Sequence, residues 1–258
     1  MSIKALLAPI GAETGRVTLP ADEWLQGRTL YGGASALVAY TAAVRALPDL
    51  PPLRSAQVAF VAPVGDKVEP KVEVVRRGRN VAQVRCDLLV GGVVALTAFF
   101  LFGTEREANA KHPASKVEPW PGPPEDMDVA MHGGGPAFIQ NNFELRRAQK
   151  TQGAGPPVVR RWIRLKDRKT LDPTSTLVLV GDTLPPGAMR AMERQGPISS
   201  INWSFNLLDP DAETRDGWWL AETASDHADG GYSSERLRLW NADGNLVMTG
   251  QQCVAIFG

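Results

Sequence analysis

The sequence predicts an α+β protein made of two copies of one unit, each an antiparallel sheet wrapped around a helix. Three observations carry this expectation. A long, Ala-rich apolar helix pattern, ASALVAYTAAVRAL, is followed by a meander of extended strand patterns. A stretch dense in Pro, Gly and charge interrupts the chain from 104 to 136, and strand patterns resume after it around a second, shorter apolar helix. Finally, segments of the second part echo segments of the first.

Residues 15–26, GRVTLPADEWLQ, read as a first strand and turn. Gly32-Gly33 opens the first helix. Pro48, Pro51 and Pro52 end it, because proline lacks the N–H and clashes with the preceding turn. Strands are expected at 54–61, 71–76, 82–90 and 93–102, with turns at 63–66, Gly78 and Gly91-Gly92. The apolar run from 88 to 103 is therefore a hairpin entering a buried strand, and it is too short to span a bilayer.

The second part reads as strands at 137–147 and 158–166, then the helix of DPTSTLVLVGDTLPPGAM, residues 172–189. Asp172 supplies a capping carboxylate, Pro173 suits a first-turn position, and Pro185-Pro186 stop the chain from continuing helical. Strands follow at 199–208, 218–228, 233–240 and 246–256, with a hairpin turn at 241–244. Near the end of this buried helix stands one carboxylate, Asp182. Either it lies at a frayed end and is solvated, or it is buried for a purpose, since an unpaired buried acid is costly.

The repeat aligns RSAQVAF, 54–60, with SSINWSF, 199–205, and the closing strand VVALTAFFLFG with NLVMTGQQCVAIFG. In that register Thr97 matches Thr249, and Phe100 stands where the second half has Gln252. No acid occurs between Thr29 and Val44, so the polar groups gather in the second half. The expected division is an N-terminal domain at 1–103, a linker at 104–136 and a C-terminal domain at 137–258 that carries the site.

Composition removes several function classes. Lys plus Arg and Asp plus Glu are 28 each, so no global field recruits nucleic acid or a membrane surface. Two cysteines, Cys86 and Cys253, lie far apart in strand-like surroundings and read as reduced core residues of a cytoplasmic protein. The N-terminal MSIKALLAPIG is too short an apolar run for a signal peptide, so neither export nor a membrane span is expected.

At this point the sequence resembles the acyl-CoA thioesterase II family. YGGASALVA looks like that family's aromatic-Gly-Gly helix start, and the strands from LRSAQVAF to AFFLFG match its first domain. VGDTLPP, PISSINWSF and VMTGQQ fall where the family places an Asp, a Thr or Ser, and a Gln. The resemblance implies a double hotdog fold, hydrolysis of an acyl-CoA thioester, no cofactor and no metal, and assembly into a homodimer or larger homo-oligomer. It also implies a catalytic set of Asp182, Ser200 and Gln252. This chain departs from the family in carrying Ser where better-known members carry Thr, and in a shorter loop between the Asp and the Ser.

These residue types suit the reaction. Burial can raise Asp182 toward the range of a working general base. A hydroxyl and a primary amide both donate and accept, so Ser200 and Gln252 can orient a water. Backbone N–H groups at the helix start beside Gly32 and Gly33 can hold a developing oxyanion, although the same glycines also suit a simple turn into a helix. Other motifs point elsewhere. His132 to Gly135 imitates an esterase oxyanion loop but lacks a Gly-x-Ser-x-Gly partner. His227 beside Asp226 and Asp229 gives too few ligands for a metal site. Arg76, Arg77 and Arg79 lie on a turn that is either solvated or placed to meet phosphates. Two other functions fit the pattern less fully: a non-catalytic acyl-binding hotdog, and a hotdog hydratase, whose expected His after the Asp is missing here.

Overall fold

A computed structural model describes residues 2–13, 15–117, 119–130, 135–149, 155–168 and 170–257. The first half runs α1 (Ile3–Leu7), β1 (Val17–Thr18), β2 (Leu25–Gln26), β3 (Thr29–Leu30) and α2 (Gly32–Ala46). The four long strands β4 (Leu53–Phe60), β5 (Lys67–Arg77), β6 (Val81–Val90) and β7 (Val93–Gly103) follow. The second half runs α3 (Ala137–Asn142), β8 (Phe143–Arg147), β9 (Val158–Leu165) and α4 (Pro173–Val180). It closes with β10 (Ile198–Leu207), β11 (Trp218–Asp229), β12 (Tyr232–Asn241) and β13 (Leu246–Ile256).

All strands except the β2–β3 ribbon join one 11-stranded sheet in the order β1-β5-β6-β7-β4-β10-β13-β12-β11-β9-β8. Each half wraps its sheet around its helix, which is the double hotdog arrangement. The halves meet edge to edge where β4 pairs antiparallel with β10. Val58 and Trp203, equivalent in the repeat, are direct partners in that ladder, so the local two-fold axis passes between them. The ladders revise one sequence alignment. Val58 pairs with Ala98, whereas Trp203 pairs with Gln252, so Ala98 rather than Phe100 is the counterpart of Gln252. The closing strands are therefore offset by two residues from the ungapped comparison, and a separate bulge between Ser200 and Asn202 shifts the β10–β13 ladder by one residue beyond Trp203.

α2 is buried from Gly33 to Ala43, because its small alanines let sheet and helix approach from every side. α4 starts as the sequence indicates: the Asp172 carboxylate accepts the Ser175 N–H at 2.8 Å, and Pro173 occupies the first turn. The segment 137–147 is not one strand. Its first six residues form α3, which buries Phe138, Ile139 and Asn142, and only Phe143–Arg147 is extended. The cause is tertiary: the Phe138 ring stacks on Tyr31 at 4.2 Å, and the Asn142 amide donates to the Glu23 carbonyl at 2.7 Å.

Cys86 is a buried core thiol pushed up to about 12, chiefly by burial, as expected of a structural cysteine. Cys253 departs from that expectation. It is half-buried and lines a groove on the outer face of the sheet, together with Gln57, Thr97, Asn202 and Ser204. Both cysteines are free thiols. The stretch 104–136 is laid against the outer face of the second half at several points. Val117 is buried, Trp120 meets Trp162 edge-on, and the Trp240 indole donates to the Ser115 carbonyl at 3.3 Å. Among the described residues no helix is long and apolar enough to cross a membrane.

The two helices are joined by one buried bond: the Tyr31 hydroxyl donates to the Leu179 carbonyl at 2.6 Å. Leu179 lies in the last turn of α4, where carbonyls lack helical partners. Tyr31→Phe keeps the stacked ring but leaves that carbonyl buried and unpaired. Denaturant unfolding is expected to show a loss of about 1–3 kcal/mol with an unchanged slope. An unaltered midpoint would show that the bond contributes nothing.

Candidate active site

α2 begins without a cap of its own. Tyr31 occupies the N-cap position and makes no capping bond from its side chain, and the next two residues are Gly32 and Gly33. The first N–H groups of a helix need acceptors, and its N-terminus carries partial positive charge. Here the acceptor comes from the other half of the chain. Asp182, two residues past the end of α4, brings its carboxylate against this helix start, and the Gly33 N–H points its positive end at it. A Cβ on Gly32 would collide with Asp182 Oδ2, so the approach requires glycine there. Gly33 faces a similar limit, with the Leu179 carbonyl and the Tyr31 ring where a side chain would stand.

Gln252, on β13 and 5% exposed, donates from Nε2 to Asp182 Oδ1. The structure thus brings together Asp182, Gln252, Gly32 and Gly33. Ser200 shares their face of the sheet, because it pairs with the inward-facing Val254, but it lies past the bulge and makes no hydrogen bond to Asp182 or Gln252. Trp203 stands directly opposite Gln252 instead. Val254, the partner of Ser200, lies two residues along β13 from Gln252, roughly 6–7 Å on the strand.

Neighbouring atoms surround Asp182 closely, yet part of its surface stays accessible. Burial pushes its pKa from 3.8 up to about 7, against the bonds from Gln252 and Gly33, which favour the charged form. The same carboxylate, after burial itself, helps hold the Tyr31 phenol well above its usual range. This settles the choice between a solvated helix end and a buried acid in favour of the second. The first half offers no equivalent: the acid after α2, Asp49, is exposed and pairs with Arg77 at 2.7 Å.

The segment after Asp182 is held down by residues the sequence reading did not select. Thr223 donates to the Pro185 carbonyl at 2.7 Å. The buried Glu235 carboxylate accepts the Gly187 N–H at 2.7 Å and the Ala188 N–H at 3.2 Å. Glu235 is also the cross-strand partner of Gln252, so the loop and the amide are anchored side by side. A signal for Glu235 did exist. It falls in phase with Ser233, Leu237 and Leu239 on the buried face of an alternating strand, where an acid needs partners.

The competing motifs do not form sites. Most of the His132 to Gly135 motif lies outside the described residues. His227 follows a bulge on an exposed stretch of β11, and Asp226 is taken by Arg236 at 2.7 Å. Among the described residues no cluster of His, Cys, Asp or Glu could hold a metal. Arg77 is committed to Asp49.

A duplicated helix-in-sheet unit whose helices α2 and α4 pack together defines a double hotdog protein. The chain belongs to the acyl-CoA thioesterase family: that family's N-terminal domain matches residues 20–103 and its C-terminal domain residues 114–256. It is a thioesterase, and acyl-CoA is the substrate class of the family. Among solved structures it is similar to a hot dog protein of unknown function from Alicyclobacillus acidocaldarius, at 21% identity over 100% of this chain and 98% of that one, with a TM-score of 0.86. A tesB protein of Mycobacterium avium subs paratuberculosis is 20% identical over 100% of both chains, with a TM-score of 0.77. An acyl-CoA thioesterase II, TesB2, from Mycobacterium marinum is 18% identical over 98% of this chain and 97% of that one, with a TM-score of 0.74. No curated protein matches the sequence.

The raised pKa of Asp182 makes stability depend on pH. A folded pKa of about 7 above an unfolded value of 3.8 means the folded state binds more protons between these limits. Stability therefore falls as pH rises from about 4 to about 7 and is level above, by at most roughly 4 kcal/mol from this group. Asp182→Asn removes the titration and keeps a side chain that can cap a helix. Melting curves should show the variant gaining on wild type from pH 4 to pH 8; a constant difference would show that Asp182 does not titrate in this window.

Proposed function

We propose that the chain hydrolyses acyl-CoA thioesters to a free acid and CoA with water activated by Asp182. The observation that carries this reading is a carboxylate with a pKa of about 7, fixed between Gln252 and the N-terminus of α2. Above that pH it is ionised and poised to take a proton from a water, the condition for an efficient general base near neutrality. With its Nε2 committed to Asp182, Gln252 keeps its carbonyl free to accept from the same water. Ser200 completes the water's contacts from the neighbouring rung of the sheet.

Attack of this water on the thioester carbonyl forms a C–O bond and moves the carbonyl electrons onto oxygen. The remaining first-turn N–H groups of α2, at Gly32 and beside it, face the developing charge. Collapse of the adduct breaks the C–S bond, and the proton held by Asp182 passes to the departing thiolate. No cofactor is required, because thiolate leaves readily. The two free cysteines accord with a reducing, cytoplasmic setting.

Asp182→Asn should lower turnover roughly 10²- to 10⁴-fold while leaving substrate affinity nearly unchanged and the protein folded. Ser200→Ala and Gln252→Ala should each cost less, and together less than the product of their separate losses, because both position one water. In wild type, kcat/KM should rise with pH along a limb centred near 7. Wild-type turnover in a folded Asp182→Asn protein would remove this mechanism.

The protein is also expected to self-associate. β1 covers β5 only at Lys67 and Val68, so beyond them β5 runs along an open sheet edge with Val74 and Val75 exposed. Light scattering at micromolar concentration should find a closed homo-oligomer. A single species at the 27.9 kDa of one chain would refute it.

A further inference from the structure

The arginines of β8 and β9 divide by the face of the sheet they occupy. On the outer face each has a carboxylate or carbonyl partner for its guanidinium. Arg160 pairs with Glu222, Arg164 with Glu144 and Asp216, and Arg146 donates to the Glu125 and Met127 carbonyls. On the helix side the pattern is different. Arg147 and Arg161 are direct partners in the β8–β9 ladder, so their side chains leave the same face together. Among the described residues neither is paired with a carboxylate. Arg161 donates only to the neighbouring Arg160 carbonyl, at 2.7 Å. Arg190 joins them from the turn that follows Asp182, anchored by its bond to the Val158 carbonyl at 3.0 Å.

Arg147 and Arg161 thus carry their charges side by side without a carboxylate among the described residues. Arg161 is half-buried, and both its burial and the nearby Arg190 and Arg147 disfavour its charge. The connecting stretch AQKTQGAGPP, residues 148–157, contains no acid. Like charges brought together and partly desolvated cost free energy unless an anion sits among them. Guanidinium groups are the side chains best matched to phosphate, by planar, bidentate donation.

We propose that Arg147, Arg161 and Arg190 form an anion site for the phosphate groups at the nucleotide end of the coenzyme A carrier. This assignment rests on the thioesterase reading and locates the far end of the same substrate. The sheet gives the scale. From Gln252 the row runs across Glu235 and Ser225 to Pro157 at the start of β9, and Arg161 lies four residues further along. Three strand spacings across and four residues along amount to roughly 20 Å measured over the sheet. That span suits an extended pantetheine arm between a thioester at Asp182 and phosphates at the arginines. The loop between the two ends is the one that Thr223 and Glu235 clamp, so their separation is set by fixed backbone.

The test compares acyl-CoA with the corresponding acyl-pantetheine, which has the same thioester and no phosphate. For Arg161→Gln and Arg147→Gln, the ratio of kcat/KM on acyl-CoA to kcat/KM on acyl-pantetheine should fall about tenfold each, carried by KM on acyl-CoA. Arg161→Lys should restore part of the ratio, since it restores the charge without the fork. Calorimetric titration with free CoA should show correspondingly weaker binding, and inorganic pyrophosphate should compete with CoA on wild type but poorly on the Gln variants. An unchanged ratio and unchanged CoA affinity in folded variants would overturn the anion site. Failure of wild type to hydrolyse either thioester would overturn the thioesterase mechanism instead, and the CoA titrations would still decide the anion site.

Discussion

The structure depends on one contact, the Asp182 carboxylate against the N-terminus of α2. A helix start needs acceptors, and α2 has none within its own half. α4 provides for itself with Asp172. The two helices are therefore not equivalent in spite of the repeat. One is locally complete, and the other is completed by an acid reaching over from the second half. That asymmetry confines the polar centre to one of the two related positions. In the first half an apolar Ala98 stands at the place of Gln252, and the first acid after α2, Asp49, is paired on the surface.

The contact holds two opposed effects near balance. Burial favours the neutral acid, while the helix terminus and the Gln252 amide favour the carboxylate. Neither wins outright, which is why the pKa comes to rest near neutrality. A fully buried acid without these donors would stay protonated and could accept nothing. A solvated one would be ionised but too weak a base to matter. The fold supplies the intermediate case through glycine at Gly32 and Gly33, where any side chain would hold the carboxylate away from the donors.

Around this centre the second half behaves as a rigid frame. The Thr183 to Met189 stretch is bonded to β11 and β12 through Thr223 and Glu235, and Glu235 stands beside Gln252 on the next strand. Asp182 is thus located both by its own bond to Gln252 and by the backbone that leads away from it. Positions fixed this way vary little, and a general base works only when its distance to the reacting proton is held. The β8–β9 end of the same frame carries Arg147 and Arg161, so acid chemistry and cationic surface are separated by a clamped loop.

Much of this was legible in the chain itself. Periodicity and proline placement located α2, α4 and nearly all long strands, since such patterns reflect burial on one face of a regular element. The repeat of RSAQVAF in SSINWSF identified the two strands that pair at the local two-fold axis. The apolar run ending in Asp182 pointed to the acid, and the family resemblance carried by VMTGQQ to the amide that the structure bonds to it. Other features were decided by tertiary structure. α3 forms because Tyr31 offers a ring for Phe138 to stack on, a long-range contact that local pattern cannot encode. The bulge at Ser200 shifts register by one residue, which no ungapped alignment can register. Glu235 and Arg161 look like ordinary strand charges in one dimension. Only the assembled sheet shows that one is buried against backbone donors and the other faces its own kind, because the pairing of distant strands determines which side chains share a face.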